Sequence, residues 1–199
     1  MSLDHLWAGW RTDYVTSAVD VGALPRDPTL VAGEHDHDHF LDDPKQCVFC
    51  RIAASGPPSA ENGVLWRGEK TFAVLNAYPY ASGHLMVMPV RHVRSMAELD
   101  EEEGIELWSA LRSGVAALEG AYGPEGVNIG ANLGRAAGAG IPRHLHLHAV
   151  PRWVGDTNFM TAVANVRVLP ETLADSWRRL HAAWGAEPPV GQVSADPAS

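Results

Sequence analysis

Residues 144–148 read His-Leu-His-Leu-His, inside the longer stretch "GAGIPRHLHLHAVPRW". Strict alternation is the period of an extended strand, so His144, His146 and His148 share one face while Leu145 and Leu147 enter the core. Such a chain must supply a sheet beneath three imidazoles and a partner for each ring. On residues alone the rings fit either a metal cage or a nucleophile with helpers. For the second, the Nδ1–H of the middle ring donates to a backbone carbonyl, which fixes the tautomer and aims Nε2 outward. A histidine two residues on then serves as the general-acid or electrostatic partner.

The rest of the chain offers the sheet. Short β-like runs occur at "GVLWR" (63–67), "TFAVLN" (71–76) and "HLMVMPV" (84–90), and "AYPYASG" makes a turn between the last two. "GVNIGANL" and "LHLHAVPRW" complete a set of five. Residues 97–123 read as the one long helix, with acids in its first turn and Ile105, Trp108, Val115, Leu118 and Tyr122 recurring at helical spacing. A shorter helix is expected over 170–184. Strands, one long helix, then strands again predict an α+β domain on a five-stranded antiparallel sheet. Its expected span is 47–185, preceded by an irregular extension over 1–46 and followed by a disordered tail over 186–199.

At 199 residues and 46% hydrophobic, the chain suits one globular domain. No apolar run approaches membrane length, and "MSLDHLWAGWRTDYV" lacks the basic-then-apolar pattern of a secretory signal, so the expected compartment is the cytoplasm. A net charge of −9 argues against a broad nucleic-acid surface. It leaves room for a small anion, which Arg91, Arg94, Arg135, Arg143 and Arg152 flank the segments to meet. His35, His37 and His39 alternate with Asp36 and Asp38 in a loop-like stretch; a metal site is the alternative to a solvated loop there. His5 and His181 read as surface or packing residues.

Cys47 and Cys50 form "CVFC", the only cysteines. In a reducing compartment that spacing points to zinc or redox chemistry, and two thiolates need two further ligands to close a tetrahedron. The small-residue loop Ala136 to Gly140 precedes the histidines and can bring backbone N–H groups close to a bulky anion.

"HLHLHAV" together with "LNAYPYASGHLMVMPVRHV" and "CVFC" resembles the histidine triad (HIT) superfamily of nucleotidyl hydrolases and transferases. "NLGRAAGAGIPRHLHLHAVPRWVGDTNFM", with "LWAGWRTDYV", is similar to its zinc-containing bacterial branch of diadenosine tetraphosphate phosphorylases and hydrolases. The resemblance implies His146 as nucleophile, His148 as the phosphate and leaving-group histidine, and His84 beside them. It implies Asn76 on the ribose, with Asn132, Gly138 and Gly140 near the phosphates. It implies a structural zinc on Cys47, Cys50, His92 and His144, an adenine nucleotide as substrate, and a homodimer paired through the long helix and a strand. Phosphorolysis is preferred to hydrolysis on the match of "GRAAGAG" and "PRWVGDTNF" to that branch, with Arg135 and Arg143 to hold phosphate; against it, Gly140 and Ile141 supply no side-chain hydroxyl. Nucleoside phosphoramidase action and a nucleotide-binding regulatory role are the alternatives. Phe49, Phe72 and Leu75 fit an adenine pocket or the core.

Overall fold

The computed structural model describes residues 43–156 and 171–185. The docking of "LWAGWRTDYV", the His35, His37 and His39 loop, His5 and the tail after residue 185 lie outside these residues.

Five strands form: β1 (Val64–Arg67), β2 (Thr71–Leu75), β3 (Leu85–Pro89), β4 (Gly126–Gly130) and β5 (Leu147–Arg152). They lie in the order β1-β2-β3-β5-β4, each pair antiparallel. Alternation sorts the central strands into two faces. Ala73, Leu75, Leu85, Val87, Leu147 and Ala149 point to one side, where helix α2 (Glu101–Tyr122) and helix α3 (Leu173–Ala183) cover them. Phe72, Val74, Met86 and Met88 point to the other, under the short helix α1 (Val48–Ala53) and its Cys47 and Phe49. Both faces of β2 and β3 are therefore buried, which explains their nearly continuous apolar runs. His148 pairs with Met86 across β3 and β5, so the histidine side is the α1 side.

Helix α2 starts on a reciprocal cap. Asp100 accepts from the Glu103 amide at 2.7 Å, and Glu103 accepts from the Asp100 amide at 2.9 Å. It stops at Gly123, left-handed at φ 52°. Its buried stripe is Leu107, Ala110, Leu111, Gly114, Ala117 and Leu118. Ile105 and Trp108, expected among the recurring apolar positions, are instead exposed at 64% and 57%. The helix carries two apolar faces, and only one meets this sheet.

The edge strand β1 is covered: Trp177 donates to the Val64 carbonyl at 2.7 Å, and His181 Nδ1 donates to the Leu65 carbonyl at 2.9 Å. His181 is thus a packing residue, stacked on Trp177. The other edge, β4, is mostly exposed.

Candidate active site and metal centre

The expected strand through all five residues of "HLHLH" begins later than the alternation implies. β5 starts at Leu147, and His144 and His146 sit in the extended chain before it. The cause is local: the His144 carbonyl accepts from His146 Nδ1 at 2.7 Å, and Leu145 donates to the Val93 carbonyl at 2.6 Å rather than joining the ladder. Alternation survives, with Leu145 and Leu147 in the core and the rings opposite.

These hydrogen bonds assign the protons. A carbonyl only accepts, so His146 carries its hydrogen on Nδ1 and its lone pair on Nε2. Burial lowers its pKa and keeps the ring neutral. A second chain runs from the turn before β3. The Tyr80 amide donates to His84 Nδ1 at 3.1 Å, and a backbone amide can only donate. His84 therefore holds its hydrogen on Nε2, which donates to His148 Nδ1 at 2.9 Å. His148 is left with N–H at Nε2, a buried atom that has no hydrogen-bond partner among the described residues. Burial, then the neighbouring His146, bring His148 down to about 4, so it too is neutral near pH 7. Rings 146 and 148 meet edge to face at 5.0 Å. Side by side stand an imidazole lone pair and an imidazole N–H, the pairing that attacks an electrophile and supports a departing anion.

Asn76 and His84 close the same wall. The Asn76 carbonyl accepts from the Tyr78 amide at 2.9 Å, turning its amide nitrogen to 3.3 and 3.4 Å from the two His84 nitrogens. Two aromatic rings complete the setting. Phe49 packs 5.0 Å from His146 and 5.6 Å from His144, and Tyr80 lies 4.8 Å from His84. Phe49 is 5% exposed and Phe72 and Leu75 are also buried, so all three belong to the core; Phe49 is also a wall of the site. Tyr80 contributes through its main-chain N–H, a role no residue type announces.

The phosphate-loop residues follow β4, whose Gly130 pairs with His148. Asn132 is half-buried beyond β4, and no hydrogen bond joins Asn132, Gly138 or Gly140 to the histidines among the described residues. The loop was expected to offer unengaged N–H groups. The amides of Ala137, Gly138 and Ala139 instead donate to the Gly134 and Arg135 carbonyls, because the chain folds back at Gly134 (φ 80°) and Gly138 (φ 86°). The flanking arginines are likewise engaged: Arg91 with Glu103, Arg94 with Glu98 and Arg152 with Asp156, while Arg135 and Arg143 have partners of their own.

The four expected metal ligands do converge. One donor atom each from Cys47, Cys50, His92 and His144 lies within 4.8 Å of the others. His144 Nε2 donates to the Pro89 carbonyl at 2.8 Å, leaving Nδ1 as its donor, 3.4 Å from Cys47 Sγ and 3.6 Å from Cys50 Sγ. His92 Nδ1 is 3.2 Å from Cys50 Sγ. Tetrahedral bonds of about 2.3 Å to sulfur and about 2.0–2.1 Å to nitrogen put ligand atoms about 3.6 Å apart, which these separations match. Burial and the adjacent Cys47 push the Cys50 thiol up, the electrostatic sign of a pair that needs a cation to ionise together. Two thiols and two imidazoles so placed fit a closed, zinc-type site.

Comparison with known proteins identifies the family. The HIT domain family model matches residues 58–154. A curated relative, AP-4-A phosphorylase of Mycobacterium tuberculosis, is 37% identical over 187 residues, covering 94% of this chain and 87% of the relative. The asymmetrical bis(5'-nucleosyl)-tetraphosphatase of Schizosaccharomyces pombe is 29% identical over 57% of this chain and 58% of its own. Among solved structures, a zinc-bound histidine triad family protein from Mycobacterium smegmatis superposes with a TM-score of 0.56 at 30% identity, covering 71% of this chain and 95% of that one. The chain belongs to the histidine triad (HIT) family.

Proposed function

We propose that this enzyme cleaves the α-phosphate linkage of diadenosine tetraphosphate and related adenine nucleotides through a nucleotidyl group carried on His146. The observation that carries the reading is the paired polarity of neighbouring rings: a lone pair at His146 Nε2 beside an N–H at His148 Nε2. His146 Nε2 attacks the α-phosphorus, and the bond to the bridging oxygen breaks with its electron pair leaving on that oxygen. His148 Nε2–H donates to the phosphate oxygens as this charge develops. His84 holds His148 in that tautomer, and Asn76 meets the ribose. Asn132, Gly138 and Gly140 border the polyphosphate. The kinship with an AP-4-A phosphorylase supports this substrate class.

In the second step an acceptor displaces His146 from phosphorus. Phosphate gives ADP and water gives AMP, and in both cases ATP is the first product. We favour phosphate, with Arg135 and Arg143 on the loop that would receive it. Hydrolysis is the second reading, favoured by the three loop amides already engaged within the turn. Chromatography of products from diadenosine tetraphosphate at saturating phosphate decides between them. ADP with ATP is expected; AMP with ATP under those conditions overturns the phosphorylase reading.

Cys47, Cys50, His92 and His144 would hold one structural zinc, which ties helix α1, the segment after β3 and the segment before β5 together. No step of the chemistry runs through it. We take residues 47–185 as one catalytic unit, with 1–46 an extension and 186–199 a tail, working in the cytoplasm as a homodimer. Among the described residues no helix is long and apolar enough to cross a membrane. The exposed outer face of α2 and the open edge β4 support pairing there: Trp108, Arg112, Val115, Glu119 and Ile129 line a groove of about 270 Å³ between them.

A further inference from the structure

The acids in the first turn of α2 read in the sequence as complements to the helix dipole. The structure gives one of them a second task. Glu103 is 4% exposed, and beyond its cap it accepts from Arg91 Nε at 2.8 Å and Nη2 at 2.6 Å, a two-pronged contact. Arg91 also donates to the Glu98 carbonyl. Arg91 immediately precedes the metal-ligand candidate His92, and every neighbour of His92 is fixed. Pro89 accepts from His144 at 2.8 Å, Val90 donates to the Lys70 carbonyl at 2.7 Å, and Val93 accepts from Leu145 at 2.6 Å. Lys70 in turn pairs with Asp100 and Glu102 of the same helix turn.

A capping box is complete without an ion pair, and a pair whose arginine is half exposed adds little to stability because solvent screens the attraction. What it adds is geometry. We infer that the Arg91–Glu103 pair is a positioning device for the metal centre, locking the segment after β3 so that His92 is presented to Cys47, Cys50 and His144 before the metal arrives. The guanidinium holds the Glu103 carboxyl at about 2, so the pair stays ionised across the range in which metal binds. The inference rests on the zinc reading of the four-residue cluster.

Competition for zinc between the full-length apoprotein and a chromophoric chelator tests it. Glu103→Gln keeps the cap's shape but loses the charge, and should raise the zinc Kd at least tenfold, the usual cost of removing a group that orients a ligand. Arg91→Lys keeps the charge but loses the fork, and should fall between Glu103→Gln and wild type. Leu118→Ala, which opens the core at the far end of α2, serves as the destabilised control and should bind zinc as wild type does. If Glu103→Gln or Arg91→Lys folds and binds zinc with wild-type affinity, the inference is wrong. The same holds if Leu118→Ala weakens zinc as much as they do. A wild-type protein that takes up no zinc would overturn the zinc reading and this inference together.

Discussion

His146 is oriented by a carbonyl two residues behind it, and that carbonyl belongs to His144, a ligand of the proposed zinc site. One residue thus faces both ways, its ring toward the thiols and its main chain toward the nucleophile. His146→Asn tests the division of labour. The asparagine amide can still donate to the His144 carbonyl, so circular dichroism and nucleotide binding should be near wild type. With no nucleophile, turnover should fall on the order of 10⁴-fold or more. Turnover within about tenfold of wild type would remove His146 from the chemistry.

At the scale of elements, α1 depends on its surroundings. It has six residues, its N-cap Cys47 makes no side-chain cap bond, and isolated helices so short do not hold in water. What keeps it is burial of Cys47 and Phe49 against β2 and β3, to which the proposed zinc would add. Zinc at a hundredfold its Kd stabilises by about 2.7 kcal/mol, roughly 5–11 °C in Tm for a chain of this size. A chelator should lower the wild-type Tm by that amount and leave Cys47→Ser unchanged. Equal Tm with and without chelator would speak against a structural metal. The same weakness explains why α1 was not legible in the sequence: six residues without a cap carry no periodic signal. The five strands were legible, because alternation and turn residues mark them. The histidine rings were legible too, since side-chain identity carries their chemistry. The Tyr80 amide and the Arg91–Glu103 contact were not. The first is a main-chain group, and the second joins residues that look like ordinary surface charges until the fold buries one of them.

For the whole molecule, a helix with two apolar faces and a sheet with one covered edge leave one side unfinished. Ile105, Trp108 and Ile129 are exposed at 64%, 57% and 49%, a density of large apolar side chains that a lone domain seldom shows to water. Light scattering should find twice the 21.4 kDa chain mass, and Trp108→Glu should return the protein to that single mass with its Tm lowered. A wild-type monomer at micromolar concentration would refute the pairing. If Cys47, Cys50, His92 and His144 hold zinc, this meeting of distant segments also sets a timetable. Cys47 and His144 are 97 residues apart. At about 5–20 residues per second a ribosome needs roughly 5–20 s to make that interval. Throughout it the thiols would be out with at most one of their two candidate partners, His92, made, open to oxidants and to whichever thiophilic ion arrives first. On the zinc reading, the sensitive period of this protein is its own synthesis, and it ends when His144 leaves the tunnel.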